Sequence, residues 1–398
     1  MRAVLEESFR AAVAAADPLR ILGAHLPRPP KGRTFVAAAG KAGASMALAV
    51  EQAWPAGAAL DGIAVTRYRH GLPTRRIRVI EAGHPVPDEA GEAAAREILG
   101  AVRRLGSDDL LLALLSGGGS SLLSLPADGI PMEDLQAVTT QLLKSGAAIQ
   151  EMNVVRKHLS AIHGGRLAAA SRAPVLALII SDVTGDDPTH IASGPCAPDA
   201  STIADAKAVL GKYGIAFGGP FSESPKPGDP RFARVENRVV ATAYKSLEAA
   251  AEIFRLHGIH PQILGDTITG EAREVGQEMA QRALDTKGPA ALISGGECTV
   301  TIGNEGGRGG RCAEFLLSLG ISLKGAPNIW GIAADTDGID GSEDNAGALW
   351  LPEFAKRDGA RTLLDKHDSY GFFLSVGGLV MTGPTRTNVN DYRAIVVT

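Results

Sequence analysis

Residues 110–121 read LLLALLSGGGSS, an apolar run followed by glycines enclosed by serines. The run has the length of one strand buried on both faces, which is typical of a parallel sheet. Successive glycines allow a tight turn that presents backbone N–H groups, and a helix beginning there would add partial positive charge. A flexible turn at a strand end is the alternative interpretation. The residues predicted to bind nucleotide or phosphate are Ser116, Gly117, Gly118, Gly119, Ser120 and Ser121.

Short apolar runs alternate with alanine-rich helical stretches through the first half of the chain. Strands are predicted at residues 34–39, 62–66, 77–81, 110–115 and 175–181, and helices at 42–54, 89–105 and 132–145. This alternation indicates βαβ units, and therefore an α/β fold whose mostly parallel sheet is covered by helices. Such sheets bind ligands at the carboxyl ends of their strands.

A second domain is expected after residues 211–232, a segment dense in glycine and proline. Such a segment favours a domain boundary, which gives domains 1–232 and 233–398. Beyond it, strands are predicted at 239–243, 290–294, 298–302, 329–334 and 394–397. The stretch ISGGECTVTIG, residues 293–303, suggests two antiparallel strands joined by a glycine turn. The smaller C-terminal domain is therefore expected to contain a mixed sheet.

Composition narrows the classes of partner. The chain has 398 residues, a hydrophobic content of 45% and a formal net charge of −4, so nucleic acid is not an expected partner. No apolar run reaches the length of a membrane span, and Glu6 and Glu7 lie where a signal peptide would be apolar. Three cysteines without metal-ligand spacing favour a reducing compartment. We expect a cytoplasmic protein that binds small molecules and not membranes, with a homodimer among the oligomeric states left open.

Lys41 follows a predicted strand in GKAGAS, residues 40–45. Its ammonium can point at a phosphate or carboxylate, and a solvated surface lysine is the alternative interpretation. The spacing excludes a Walker A loop, and Ala42 occupies the second glycine position of the dinucleotide fingerprint. The next strand ends in Arg67 and not in an acidic residue, which weakens a nicotinamide-dependent reductase. An arginine there would still suit NADP, so the reductase is not eliminated.

Aspartates gather in two segments, residues 181–195 and 333–347. Carboxylates are hard oxygen ligands, and Mg²⁺ bound to a nucleotide needs only one or two of them from the protein. The predicted metal ligands are Asp182, Asp186 and Asp337. For any single aspartate, an ordinary role in a turn is the alternative.

Other candidates are arginines and histidines. Arg308 and Arg311 lie among glycines before a helical run, where a guanidinium can neutralise a transferring phosphoryl group or simply belong to a surface loop. His84 lies in a loop and is a candidate substrate contact. In NVVRKHLSAIHGGRLA, residues 153–168, we expect a solvated basic face on a helix. The basic residues concerned are Arg156, Lys157 and His163.

The motifs together resemble the class II glycerate kinase family, the glycerate 2-kinases whose C-terminal half is called the MOFRL domain. Matching stretches in one order span nearly the whole chain and include GHPVPD, LLSGGGSSLL, SDVTGDDPTHIASGP, GGRCAEF and DTDGIDG. The resemblance implies a Rossmann-like N-terminal domain, a smaller mixed-sheet α/β domain, and ATP- and Mg²⁺-dependent phosphorylation of D-glycerate to 2-phosphoglycerate. Family catalytic roles fall on Lys41 and Arg311, and we assign substrate binding to His84 and Arg308.

The chain departs from the family pattern at several positions. The family commonly reads GGRNQE where this chain has Cys312 and Ala313 after Arg311, and it has a lysine at the position of His163 and a glycine at that of Arg386. Two other functions are retained as alternatives, a hydroxypyruvate reductase using NAD(P)H and a non-catalytic phosphosugar-binding protein. The acidic segments favour the kinase over the sensor, because an anion sensor would not gather carboxylates without a metal.

Overall fold

The computed structural model describes residues 1–302 and 306–398. It contains two compact units, one formed by Pro18–Val240 and the other by Met1–Asp17 together with Ala241–Thr398. The chain begins with helix α1 (Arg2–Ala14), which belongs to the second of these units. No helix in the described ranges is long and apolar enough to cross a membrane.

The unit Pro18–Val240, called here the first unit, is built on a six-stranded sheet. Its strands are β1 (Thr34–Ala39), β2 (Leu60–Arg67), β3 (Ile77–Ala82), β4 (Leu110–Leu115), β5 (Val175–Ile180) and β6 (Val235–Ala241). Its helices are α2 (Pro18–Ile21), α3 (Gly43–Ala53), α4 (Glu89–Arg103), α5 (Gly119–Leu122), α6 (Met132–Lys144), α7 (Ile149–His158), α8 (Arg166–Ala169) and α9 (Ile203–Lys212). Every residue of β1, β4 and β5 is buried, as expected for apolar strands covered on both faces.

The strand order of the first sheet is β3-β2-β1-β4-β5-β6. The pairs β3–β2, β2–β1, β1–β4 and β4–β5 are all parallel. This is the order of a Rossmann sheet, in which the direction of winding reverses between the first and fourth strands. A crevice therefore opens beyond the carboxyl ends of β1 and β4, and the glycine-rich segment that follows β4 lies at that point.

The second unit, Met1–Asp17 with Ala241–Thr398, contains a mixed sheet of order β13-β12-β11-β14-β9-β7. Its strands are β7 (His260–Gly265), β8 (Gly270–Glu271), β9 (Ala290–Gly296), β10 (Cys298–Thr299), β11 (Ile329–Asp335), β12 (Gly347–Trp350), β13 (Leu379–Val380) and β14 (Asp391–Val397). Its further helices are α10 (Ala243–Leu256), α11 (Ala272–Leu284), α12 (Arg311–Ser322), α13 (Ala360–Asp365) and α14 (Ser369–Val376). The pair β7–β9 is parallel, whereas β9–β14, β14–β11, β11–β12 and β12–β13 are antiparallel. The mixed sheet predicted for this part of the chain is confirmed.

Two predicted strands were assigned to the wrong partners. The strand predicted at 298–302 was expected to form a hairpin with 290–294, but β10 has only two residues and pairs in parallel with β8. Glu271 explains the difference, because its carboxylate accepts hydrogen bonds from the Thr299 and Thr301 hydroxyls at 3.0 and 2.5 Å. The strand predicted at 239–243 overlaps β6, which lies at the edge of the first sheet. Residues 303–305 of the predicted glycine loop lie outside the described residues.

The compact units differ from the predicted domains 1–232 and 233–398 at both ends of the first unit. Helix α1 packs on α10 through Leu5 and Phe9, which share one apolar cluster with Leu247 and Phe254. The other difference is β6, which extends the first sheet past residue 232. The packing of α1 on α10 could not be read from local periodicity, because the two helices are far apart in the sequence.

Candidate active site

Two loops interlock at the crevice of the first sheet, one after β1 and one after β4. The Lys41 N–H donates to the Gly117 carbonyl at 2.8 Å, and the Ala42 N–H donates to Ser116 Oγ at 3.0 Å. Gly40 has φ +132°, and a Cβ there would collide with Ser116. The two loops therefore hold each other in one conformation, and glycine is required at position 40.

Gly118 lies close to both Lys41 and the His84 ring. A Cβ added to Gly118, which has φ +81°, would lie 3.0 Å from the His84 ring and 3.4 Å from Lys41 Cγ. Among the described residues, the N–H groups of Gly117 and Gly118 have no hydrogen-bond partner. The structure thus brings a lysine and a histidine to a loop that exposes backbone donors, the combination that an anion requires.

The helix expected after the glycines is α5, which has only four residues. A single turn aligns few peptide dipoles, so the predicted contribution of a helix N-terminus is small. Ser120, within this turn, is hydrogen-bonded to Ser193 at 2.8 Å, and Ser193 in turn lies 3.0 Å from Asn153 Oδ1. The loop after β5 is therefore joined to the glycine loop through hydroxyl groups.

The expected solvated basic face on α7 is wrong. Lys157 is buried in an ion pair with Asp199 at 3.2 Å, and His163 lies beyond the end of α7 and is only 2% exposed. Arg156 is largely buried, and desolvation lowers its pKa to about 10. The face is buried because residues of α7 form an apolar cluster with residues of α6 and α9. Local charge patterning could not reveal this packing.

Arg156 and His163 line a small cavity of about 10 Å³, room for roughly one water-sized group. The hydroxyl groups that line it with them belong to Ser120, Ser121, Ser124, Thr139 and Ser160. Neither ring nitrogen of His163 has a hydrogen-bond partner among the described residues. Burial, together with the nearby charges of Arg156, Arg166 and Lys157, lowers the His163 pKa to about 3, so the ring is neutral.

Arg311, the first residue of α12, is held by three carboxylates of the second unit. Its Nε donates to Asp391 at 2.8 Å, and its terminal nitrogens donate to Glu297 at 2.6 Å and Asp335 at 2.8 Å. These carboxylates outweigh desolvation and raise the Arg311 pKa well above its usual value. Arg393 completes the network by donating to Asp391 at 2.9 Å.

The predicted metal ligands do not form a three-residue site. In the described ranges, no three His, Cys, Asp or Glu side chains are arranged so that they could hold a metal ion. Asp182 and Asp186 lie after β5 in the first unit, and Asp337 is buried in the second unit, where its Oδ1 accepts the Ile339 N–H at 2.9 Å. Their hard oxygen atoms suit Mg²⁺ only in the one- or two-carboxylate arrangement that uses phosphate oxygens as further ligands.

Arg308 is placed differently from Arg311. Its side chain is 54% exposed, stacks over Tyr370 at 5.1 Å and lies 3.9 Å from Asp368. The substrate contact predicted for Arg308 therefore stays a prediction, with a surface ion pair as its observed environment.

Comparisons with known proteins cover the whole chain. The domain-of-unknown-function model DUF4147 matches residues 4–220 and the MOFRL family model matches residues 290–391. A glycerate 2-kinase of Pyrococcus horikoshii is 40% identical over 92% of this chain and 88% of its own length. The chain belongs to the MOFRL-type glycerate kinase family. Its resemblance to that family, predicted from the motifs, is confirmed.

Other members of the MOFRL-type family share the fold of this chain but carry different functional names. The crystal structure of glycerate kinase from Thermotoga maritima has a TM-score of 0.87 and 36% identity, and the match covers 99% of each chain. A relative from Agrobacterium vitis, 52% identical over 100% of this chain and 94% of its own length, is named putative hydroxypyruvate reductase.

The structure shows the surroundings of two positions at which this MOFRL-type chain departs from the family pattern. Cys312 is fully buried and its N–H donates to Asp340 Oδ1 at 3.0 Å, while the Ala313 N–H donates to the other oxygen at 2.8 Å. Asp340 therefore binds the first turn of α12. Arg386 has φ +60°, in the region that favours the glycine of the family pattern.

Sequence reasoning missed Arg156 and His163 as pocket residues and Asp391 as the partner of Arg311. No local signal pointed to the pocket, because the burial of α7 depends on its packing against α6 and α9. None pointed to Asp391 either, which lies 80 residues from Arg311 in the chain.

Proposed function

We propose that this protein transfers the γ-phosphoryl group of ATP to D-glycerate and forms 2-phosphoglycerate. The observation that carries the proposal is the pair of interlocked loops after β1 and β4, which bring the Lys41 stem and the His84 ring close to Gly118. The N–H groups of Gly117 and Gly118 beside them have no partner in the part of the chain that the structure describes. Membership of the MOFRL-type glycerate kinase family supports the choice of acceptor.

Phosphoryl transfer needs positioned reactants and stabilised charge more than covalent chemistry. We assign to the N–H groups of Gly117 and Gly118 the binding of phosphoryl oxygens, and to Lys41 the neutralisation of charge that develops during transfer. His84, in van der Waals reach of Gly118, is placed to contact the transferred group or the acceptor. Asp182, Asp186 and Asp337 are the candidate residues that would hold Mg²⁺, which would supply positive charge to neutralise the nucleotide phosphates.

The alternative reductase would need a dinucleotide cradle in the turn between β1 and α3, where backbone N–H groups bind a pyrophosphate. In this turn the N–H groups of Lys41, Ala42 and Gly43 already donate, to Gly117 O, Ser116 Oγ and Gly40 O at 2.8, 3.0 and 2.9 Å. A pyrophosphate would have to displace all of these bonds. The geometry therefore favours the kinase over a nicotinamide-dependent enzyme, despite the name of the Agrobacterium vitis relative.

One experiment separates the candidate functions. Purified protein is incubated with D-glycerate, ATP and MgCl₂, and the product is identified by ³¹P and ¹H NMR, which distinguish phosphate on the 2-hydroxyl from phosphate on the 3-hydroxyl. Parallel reactions replace D-glycerate with L-glycerate, omit Mg²⁺, or supply hydroxypyruvate with NADH or NADPH. We expect 2-phosphoglycerate only in the complete D-glycerate reaction. Protein-dependent oxidation of NADPH without phosphoryl transfer would make the enzyme a reductase instead, and binding without turnover would support the phosphosugar sensor.

Two further expectations belong to this proposal. Cys196, Cys298 and Cys312 are all buried and unpaired, which supports a reducing, cytoplasmic compartment. A homodimer stays a prediction that sedimentation equilibrium would test.

A further inference from the structure

Arg156 is a largely buried cation for which the described chain provides no counter-ion. Its one hydrogen bond within the described residues joins NH1 to Asn153 Oδ1 at 3.5 Å, and desolvation alone accounts for the lowering of its pKa. Buried guanidinium groups are normally paired with carboxylates or phosphates, because desolvation is otherwise uncompensated. The neighbouring Lys157 follows that rule through Asp199. The Arg156 guanidinium is therefore available to an anionic ligand.

His163 is the second polar group in the same cavity without a partner. It is 2% exposed, and both its ring nitrogens lack hydrogen bonds to described residues. Because the ring is neutral, it offers one N–H donor and one lone-pair acceptor. Either ring nitrogen can therefore bond a hydroxyl group, which can both donate and accept.

The hydroxyl groups of the cavity are already oriented. Ser121 and Ser124 donate to the carbonyls of Gly118 and Ser120 at 3.1 and 3.0 Å, so only their lone pairs are left for a ligand. Ser193 has one proton, which it gives to Asn153 Oδ1, because an amide oxygen can only accept, so Ser120 donates to Ser193 and also keeps only lone pairs. The cavity thus combines the N–H groups of Arg156, which can donate to a carboxylate, with hydroxyl lone pairs that can accept from an alcohol.

We propose that the carboxylate and the adjacent hydroxyl of a small 2-hydroxy acid are recognised at this pocket, with Arg156 on the carboxylate and His163 on the hydroxyl. The proposal rests on the proposed function, since it identifies where the acceptor is held. Ser120 and Ser121 belong both to this pocket and to the loop that presents Gly117 and Gly118. One loop therefore contacts the acceptor on one side and the phosphoryl group on the other. The volume of about 10 Å³ has room for about one oxygen-sized group, such as one carboxylate oxygen, and none for a chain of phosphates.

The test measures binding first and turnover second. Isothermal titration of D-glycerate, L-glycerate, D-lactate and hydroxypyruvate into wild-type protein is compared with Arg156→Gln and with Arg172→Gln, an exposed arginine of the same unit that controls for the change of charge. We expect Arg156→Gln to weaken binding of the preferred hydroxy acid by roughly a hundredfold and Arg172→Gln to leave it within about twofold. Melting temperatures should not fall in Arg156→Gln, because the chain loses no ion pair.

Steady-state kinetics then separate positioning from structure. In Arg156→Gln the KM for D-glycerate should rise while the KM for ATP stays unchanged, and the preference for D-glycerate over glycerol, which lacks the carboxylate, should collapse. His163→Leu should raise the KM for D-glycerate, and His163→Gln, which keeps one donor and one acceptor, should restore part of it. If Arg156→Gln binds hydroxy acids as well as wild type, or if wild type binds none of them, the pocket holds only a buried water and the proposal is overturned. Arg156-dependent binding without any phosphoryl transfer would instead refute the kinase and leave the pocket assignment standing.

Discussion

Arg156 in the first unit and Arg311 in the second are both largely buried arginines, but they have opposite surroundings. Arg156 has one long hydrogen bond to an amide oxygen, and burial lowers its pKa to about 10. Arg311 donates to carboxylates on Glu297, Asp335 and Asp391, and its pKa is raised. A cation whose charge is balanced within the fold is needed for stability in the free protein, whereas an unbalanced one is completed by a ligand. The balance of charge therefore distinguishes the two roles better than the residue type does.

Replacement of Arg311, the arginine whose charge is balanced by carboxylates, should have the largest effect on stability. Arg311→Ala leaves three carboxylates without their shared partner, two of them buried, so we expect a loss of about 3–5 kcal/mol in the free energy of unfolding, measured with urea. Arg311→Lys should recover only part, since an ammonium cannot make the planar contacts. The exposed Arg308→Ala is the control and should cost less than about 0.5 kcal/mol.

The opposite result for Arg311 would break the comparison. The motifs alone predicted a catalytic role, with turnover lost and the fold intact. Suppose that Arg311→Ala unfolds like wild type but kcat falls by roughly a hundredfold. The three carboxylates are then not the main partners of Arg311 during catalysis, and Arg311 acts on the bound ligand instead.

Lys41 should affect turnover more than stability. Lys41→Ala is expected to lower kcat by roughly a hundredfold, about 2.7 kcal/mol of transition-state stabilisation, with little change in stability. Losses in kcat should exceed changes in the KM for ATP if the ammonium acts mainly on the transition state. The exposed Lys31→Ala is the matched control in steady-state assays. Turnover within about threefold of wild type would return Lys41 to the surface-charge interpretation.

The fold of the first unit was readable from the sequence where local pattern decided the structure. Strands β1 and β4 coincide with the predicted ranges, because each is a continuous apolar run that ends at glycine or at a serine followed by glycine. The positions of Lys41 and of the 116–121 loop followed directly, since the carboxyl ends of parallel strands define the crevice. The short length of strand β10 could not be predicted from local pattern. It depends on a partner 28 residues away, because Glu271 accepts a hydrogen bond from Thr299.

The environments of Arg156 and Arg311 could not be predicted from the sequence either, because both depend on residues that are distant in the chain. Whether Arg156 is solvated depends on the packing of α6 and α9 around α7, and the partners of Arg311 lie 14, 24 and 80 residues away. A local pattern identifies a charged residue but not its counter-ion. Charge balance is a property of tertiary contacts, so the comparison between the two arginines required the structure.

Replacement of Asp340, which lies near Arg311 in the second unit, should have a smaller effect on stability that depends on pH. Burial raises its pKa to about 7, above the ordinary value of 3.8, even though it accepts the N–H groups of Cys312 and Ala313. A raised pKa in the folded state means that its contribution to stability is fully present below about pH 4 and is lost as the pH rises through about 7. The melting temperature of Asp340→Asn relative to wild type should therefore rise as the pH increases from 5 to about 8. Superimposed on this trend is a constant loss of about 1 kcal/mol in the free energy of unfolding, because an amide caps the helix less well than a carboxylate.

The matched control for Asp340 is Asp109→Asn. The pKa of Asp109 is lowered by the N–H groups of Gly106 and Arg33, so its carboxylate is ionised throughout that pH range. The difference in melting temperature from wild type should stay constant from pH 5 to about 8. A constant difference for Asp340→Asn as well would mean that Asp340 is already ionised at pH 5, with Arg311 compensating its charge.

Replacement of Arg386 should have the smallest effect on the free energy of unfolding, and it tests the cost of a positive φ at a residue with a side chain. Its φ of +60° costs a residue with a side chain about 1 kcal/mol, which glycine avoids at the expense of greater freedom when unfolded. Arg386→Gly should therefore raise the free energy of unfolding by about 0.5 kcal/mol. Lys324→Gly is the matched control, because Lys324 has φ +51° and an exposed side chain. If Lys324→Gly stabilises the protein by that amount and Arg386→Gly destabilises it, the Arg386 side chain makes contacts worth more than the strain, and this departure from the family glycine is selected for its guanidinium.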